Sequence, residues 1–255
     1  MLLEQLRTAR ARYLASFKLA TRSGDPTKYP WRLPFLRSLD VELTHAVTIF
    51  VGENGSGKST LLEALAESFG VLASGGGRNE SAAAFAPRSA CALADALKRR
   101  VVKPPSDVFF LRAEFIAHFA SLLEAREADP DFWGDPYARY GGKTLFERSH
   151  GEAFLAVARG ALKSGLYFLD ESESALSPQR QLALLALIAE RVQQGAQFLM
   201  ATHSPMLMTI PGAVIYQVGE RLRRVGLEET EHYQIVREIL ARPERYWHHL
   251  LERSS

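Results

Sequence analysis

The run Gly52-Glu53-Asn54-Gly55-Ser56-Gly57-Lys58-Ser59-Thr60 constrains this chain more than any other feature. It satisfies the phosphate-binding pattern G-x-x-x-x-G-K-[ST]. Gly52, Gly55 and Gly57 let the backbone wrap closely around an anion, so that successive N–H groups point at a phosphate lying at the start of the next helix. Lys58 supplies a point charge to the β- and γ-phosphates, and the Ser59 hydroxyl is placed to ligate Mg²⁺. The flanks fit: residues 48–51, Thr-Ile-Phe-Val, read as a buried strand, and 61–69 carry apolar residues at helical spacing up to Gly70. Strand, loop and helix in this order imply a bound nucleoside triphosphate and a sheet with helices packed on it.

Two further blocks place polar chemistry at strand ends. In Leu166-Tyr167-Phe168-Leu169-Asp170-Glu171 an apolar strand delivers two carboxylates at its C-terminal end, where open α/β sheets bind ligands. Asp170 is expected to hold Mg²⁺, directly or through water, and Glu171 to orient or deprotonate an attacking water. Phe198-Leu199-Met200-Ala201-Thr202-His203-Ser204-Pro205 is another strand, ending in a histidine that can reach the γ-phosphate. Further short runs at 107–111 and helical stretches at 115–125 and 178–194 complete an alternation of strands and helices. The fold class this predicts is α/β, a largely parallel sheet with helices on both faces. No heptad pattern is sustained between Lys58 and Ser149, so no coiled-coil arm is expected.

The composition suits such a domain: 255 residues, 47% apolar and 24% charged, with a net charge of +2 that gives no case for nucleic acid by itself. The single cysteine, Cys91, excludes an internal disulfide and offers no zinc spacing. Leu2, Leu3, Leu6, Tyr13, Leu14 and Phe17, interrupted by charges, predict an amphipathic N-terminal helical extension over 1–28 and not a secretory signal. Without a long apolar span, a cytoplasmic location is expected. Residues 33–43 read as one or two short strands, 73–79 as a loop, 82–100 as irregular and then helical, 129–143 as a long surface loop, and 228–252 as C-terminal helices. The whole of 1–255 is expected to form one domain.

These blocks and their order resemble the ABC-type ATPases, the superfamily of transporter nucleotide-binding subunits and SMC-like heads, over residues 29–218. Within it the chain is similar to small stand-alone bacterial ATPases of the repair-like branch, often labelled AAA-type, through its Tyr-Pro-Trp opening, its Ser-Glu-Ser-Ala-Leu-Ser-Pro run and its Thr230-Glu231-His232-Tyr233 tail. The resemblance implies ATP and Mg²⁺ as ligands and an ATP-dependent homodimer. It implies that Ser149-His150-Gly151-Glu152 is the signature segment, with His150 departing from the usual glycine, so that Ser149, Gly151 and Glu152 face nucleotide held by the second copy. Ser149-x-x-Glu152 also reads as a capping box opening the helix to residue 162, and the two readings are compatible. Glu173 to Ser177 resembles the segment that follows the acidic strand in this family, with Ser177 where an aspartate is usual. Glu114 stands near the place of a metal-binding glutamine, with Arg112 the alternative as an interfacial cation. Tyr29 or Trp31 is the candidate aromatic for the adenine ring, and the region 115–165 is a short helical insertion carrying the signature. A genome-maintenance, repair or defence ATPase acting on DNA or through a partner effector protein is the function the resemblance favours. The ATP-binding subunit of a membrane transporter, a P-loop kinase and a regulatory ATP sensor are the alternatives.

Overall fold

The computed structural model describes residues 2–20, 24–77 and 88–252, so the end of the loop expected over 73–79 and the first part of 82–100, expected to be irregular and then helical, lie outside them. In chain order the elements are α1 (Leu2–Thr8), β1 (Leu14–Leu19), β2 (Asp40–Glu42), β3 (Val47–Val51), α2 (Lys58–Ser68), β4 (Gly76–Gly77), α3 (Arg88–Ala96), β5 (Leu97–Val101), β6 (Val108–Arg112), α4 (Phe115–Ala128), α5 (His150–Ala161), β7 (Leu166–Asp170), α6 (Pro178–Gln193), β8 (Gln197–Ala201), β9 (Val214–Val218), β10 (Leu222–Val225), α7 (Glu231–Ala241) and α8 (Pro243–Glu252).

Among the described residues seven strands form the main sheet, in the order β10-β9-β3-β8-β7-β6-β4. The five in the middle run parallel, and β10 and β4 close the edges antiparallel. Parallel strands covered by helices on both faces must be apolar throughout, and β3, β7 and β8 are buried at every position. Their side chains alternate between two cores. Ile49, Leu111, Leu169 and Met200 point to the face covered by α4, α5 and α6, whereas Phe50, Phe110, Phe168 and Leu199 point to the face covered by α2.

A second, antiparallel sheet in the order β2-β1-β5 packs on the α2 side. It corrects two sequence expectations. The N-terminal helical extension expected over 1–28 stops at Thr8, and Leu14–Leu19 is a strand whose Leu14 and Phe17 enter the core. The helix expected to reach residue 100 stops at Ala96, and Arg99 and Arg100 lie on β5. The buried side chain of Gln197, at the start of β8, links the sheets: its Oε1 accepts from the N–H groups of Tyr13 and Leu14 (2.9 and 3.0 Å) and its amide donates to Leu14 O (2.7 Å). Residues 33–43, expected to hold one or two short strands, hold a 3₁₀ turn, Pro34–Ser38, and then the one short strand β2.

Candidate functional site

The parallel register brings strand ends to one level. Arg112 of β6 lies beside Asp170 of β7, Asp170 beside Ala201 of β8, and Ala201 beside Phe50 of β3. Whatever follows these strands therefore meets at one edge of the sheet, which is why residues more than 100 positions apart share a site.

The phosphate loop leaves β3 and turns into α2. Gly52 (φ 151°) lies where a Cβ would stand 2.5 Å from Val218 O, and Gly57 (φ 96°) where one would press on Leu33 and Phe35, so both need glycine. Lys58 is buried, its ammonium donating to the carbonyls of Gly52 and Glu53 at 2.8 Å each. Burial lowers its pKa, opposed by the carboxylates of Glu171, Asp170 and Glu173. Ser56 Oγ is buried in the loop without a partner.

The Ser59 hydroxyl donates to Asp170 Oδ1 at 3.1 Å. Asp170 is 3% exposed, and burial pushes its carboxyl up to about 6, against the lowering effects of Arg112 and Ser59. Ser59 and Asp170 thus fit Mg²⁺: they are hard oxygen donors side by side, and a cation would relieve the cost of the buried carboxylate. Among the described residues no group of three or more His, Cys, Asp and Glu side chains could hold a metal.

Glu171 adopts a left-handed backbone (φ 44°), the one positive φ outside glycine among the described residues. A non-glycine residue there costs about 1–2 kcal/mol and is held by surrounding bonds. Its N–H donates to Ala201 O (3.0 Å), and its own carbonyl accepts from the Ser174 N–H and hydroxyl. Its carboxylate lies 3.6 Å from His203 Nε2. His203 Nδ1 is in turn 2.9 Å from Nε2 of His232, on α7, and the His203 N–H donates to Glu173. Burial, then the neighbouring His203, lowers the pKa of His232.

The other expected site residues divide. Tyr29 stands beside the loop, its hydroxyl bonded to that of Thr60, and the residue is 45% exposed. Asn54 and Gly55 lie on the exposed crest of the loop. Glu114 is not brought to the Ser59–Asp170 pair. Its side chain is 88% exposed and reaches only the Arg112 guanidinium, at 3.9 Å. Arg112 takes the inner position, 3.4 Å from Asp170 Oδ2 and 2.6 Å from Glu63 Oε1, because β register, not sequence adjacency, aims it along the sheet edge. Ser149 and Glu152 cap α5: Glu152 accepts from the Ser149 N–H at 3.0 Å, the Ser149 hydroxyl and then this N–H hold its carboxyl below the usual range, and its other oxygen pairs with Arg180 at 2.8 Å. Gly151 is packed so that a Cβ would stand 2.8 Å from Ala175 O, fixing the start of α5 against the turn after Glu171. Among the described residues no hydrogen bond or ion pair joins Ser149, Gly151 or Glu152 to residues 52–60.

Glu63 and His232 were missed as site residues in the sequence. Glu63 reads as one polar position on a helix face. His232 lies 29 residues beyond the histidine it touches.

With this geometry established, comparison with known proteins supports the class. Residues 33–91, under a quarter of the chain, match the AAA domain family. The fold resembles that of a metal-chelate type ABC transporter solved in an inward-facing conformation, at a TM-score of 0.51 and 15% identity, over 89% of this chain and 88% of that one. The SMC head domain from Thermotoga maritima also aligns, with a TM-score of 0.43 and 15% identity over 84% of this chain and 98% of that one. A search of curated protein sequences found no match. The fold, a mostly parallel sheet with the phosphate loop between β3 and α2, is that of a P-loop nucleotide-binding domain, and residues 33–91 resemble the AAA domain family. Among the described residues no helix is long and apolar enough to cross a membrane.

Proposed function

We propose that this chain hydrolyses ATP to ADP and phosphate between two copies of itself, and that the closing and opening of this dimer drives a partner effector or a step on DNA in genome maintenance, repair or defence. The observation that carries the reading is the convergence of Lys58, Ser59, Asp170, Glu171 and His203 on one sheet edge, with Glu171 held in a strained turn facing His203.

In this reading the backbone of residues 52–60 cradles the phosphates and Lys58 moves from its loop carbonyls to the β- and γ-oxygens. Mg²⁺, held by Ser59 and Asp170, supplies charge neutralisation on those oxygens. Glu171 orients the attacking water and accepts its proton, while His203 donates to the γ-phosphate and so reports its loss. Tyr29, exposed and bonded to Thr60, meets the base in this reading. The N-terminus of α5, with Ser149 and Gly151 at its tip, makes no hydrogen bond or ion pair to its own phosphate loop among the described residues. It completes the site of a second copy, where backbone N–H groups at a helix start suit a γ-phosphate.

The test is the mass in solution of Glu171→Gln with Mg²⁺, with and without ATP. The variant should bind ATP, lose turnover by about a hundredfold or more, and shift from monomer to dimer when ATP is added. A monomer that binds ATP and never dimerises would overturn the shared site, and turnover near that of the unaltered chain would remove Glu171 from its role.

A further inference from the structure

Beside α5, away from the phosphate loop, a cleft of about 670 Å³ is walled by four arginines, Arg139, Arg148, Arg159 and Arg180, with Glu152 as its one acid. These come from four separate segments, and their positions are fixed by packing. Residues 138–140 form a 3₁₀ turn seated directly on α5: a Cβ on Gly160 would stand 2.3 Å from Arg139 O. Tyr140, in the same turn, is buried edge-on against Phe119 at 5.2 Å. Arg148 donates to Lys143 O at 3.3 Å, and Arg180 is held by Glu152. Arg139 and Arg159 have no ion-pair partner among the described residues.

We infer that this cleft is a binding site for a compact, multiply charged phosphate ester or polyphosphate, separate from the ATP site. Guanidinium groups gathered in one recess repel one another, and a polyanion accepting paired N–H donors from several of them turns that repulsion into binding. The volume is that of a small-molecule pocket. The flanking sequence argues against a long nucleic acid strand, because the segment leading into the cleft carries Glu124, Glu127, Asp129, Asp131 and Asp135, where such a strand needs a continued basic track. The site is also wired to α5. Arg180 holds the Glu152 oxygen that is not engaged by the Ser149 N–H, so an anion competing for Arg180 loosens the cap at the start of that helix.

The inference does not depend on the dimer reading, since no residue of the cleft other than Glu152 belongs to the proposed ATP machinery. The experiment is calorimetric titration of pyrophosphate into the full chain carrying Lys58→Ala, which removes the phosphate-loop charge. Saturable binding is expected in the millimolar range or tighter. Adding Arg139→Gln and Arg159→Gln, both at exposed positions, should weaken it about tenfold or more, while Arg159→Lys alone should weaken it less. Equal binding by the double arginine variant, or no saturable binding in the Lys58→Ala chain, would overturn the site. Displacement of pyrophosphate by a short single-stranded DNA at micromolar concentration would overturn the compact ligand.

Discussion

Asp170→Asn is expected to make the nucleotide-free protein more stable while removing its turnover. The Asp170 carboxyl is 3% exposed and its pKa stands at about 6 in place of 3.8, because burial outweighs the help of Arg112 and Ser59. A raised value means that the folded state binds the proton more tightly than the unfolded state. At neutral pH, where the group is ionised in both, the folded state therefore carries a penalty of about 3 kcal/mol. That penalty is fully present above pH about 6, shrinks as the pH falls through it, and is gone below 3.8. Asparagine keeps the shape and a partner for the Ser59 hydroxyl and removes the charge. Part of the gain is offset because Arg112 loses its 3.4 Å contact and keeps Glu63 at 2.6 Å and the exposed Glu114 at 3.9 Å. A net gain of about 1–3 kcal/mol corresponds, for a chain of this size, to roughly 3–10 °C in Tm.

The assay is urea and thermal unfolding in EDTA without nucleotide, at roughly pH 7.5 and pH 5, beside ATP turnover with Mg²⁺. The variant should be the more stable at the higher pH, with the gap closing on acidification, and its turnover should fall by about a hundredfold or more. A variant no more stable than the parent near pH 7.5, or a gap that widens on acidification, would refute the account of Asp170 as a carboxylate held at a cost for its cation.

Three further outcomes follow from the same geometry. Arg112→Ala leaves the half-buried Glu63 and the buried Asp170 without their shared cation. Burial already raises the Glu63 pKa, so stability should drop by about 3 kcal/mol at neutral pH in urea unfolding and recover in part as the pH falls and the acids protonate. Gly151→Ala drives a methyl to 2.8 Å from Ala175 O; it should cost about 1–3 kcal/mol and abolish ATP-dependent dimerisation, read by mass in solution, while leaving ATP affinity near that of the parent. His232→Ala removes the 2.9 Å partner of His203; turnover should fall by about tenfold with ATP affinity little changed, and His232→Gln, which can refill the hydrogen bond, should restore part of it.

What could be read from the chain, and what could not, separates along a physical line. The strands β3, β7 and β8 were legible because a parallel strand covered on both faces must be a short apolar run between turns, and Gly52 just after β3, Asp170 at the end of β7 and His203 two residues past β8 announce their chemistry. β1 was not. Its Leu14 and Phe17, spaced three apart with Arg12 and Lys18 around them, fit a helix face as well as a strand, and the decision rests with partners far away: Val41 on β2, Arg99 on β5 and the side chain of Gln197. The same holds inside the site. Residues that enter from the ends of strands are fixed by chain order, whereas those that enter sideways are fixed only by packing. Glu114 was offered by the resemblance in the place of a metal-binding glutamine, with Arg112 as the alternative, and the register pairs Arg112 with Asp170 while the Glu114 side chain stays exposed. Glu63 arrives from the flank of α2 and His232 from α7, each reaching a charged group that a single sequence cannot place beside it. Local patterning thus announces the phosphate loop and the acids that follow the sheet, while the groups that tune those acids, Arg112, Glu63 and His232, depend on how neighbouring elements are laid against that edge.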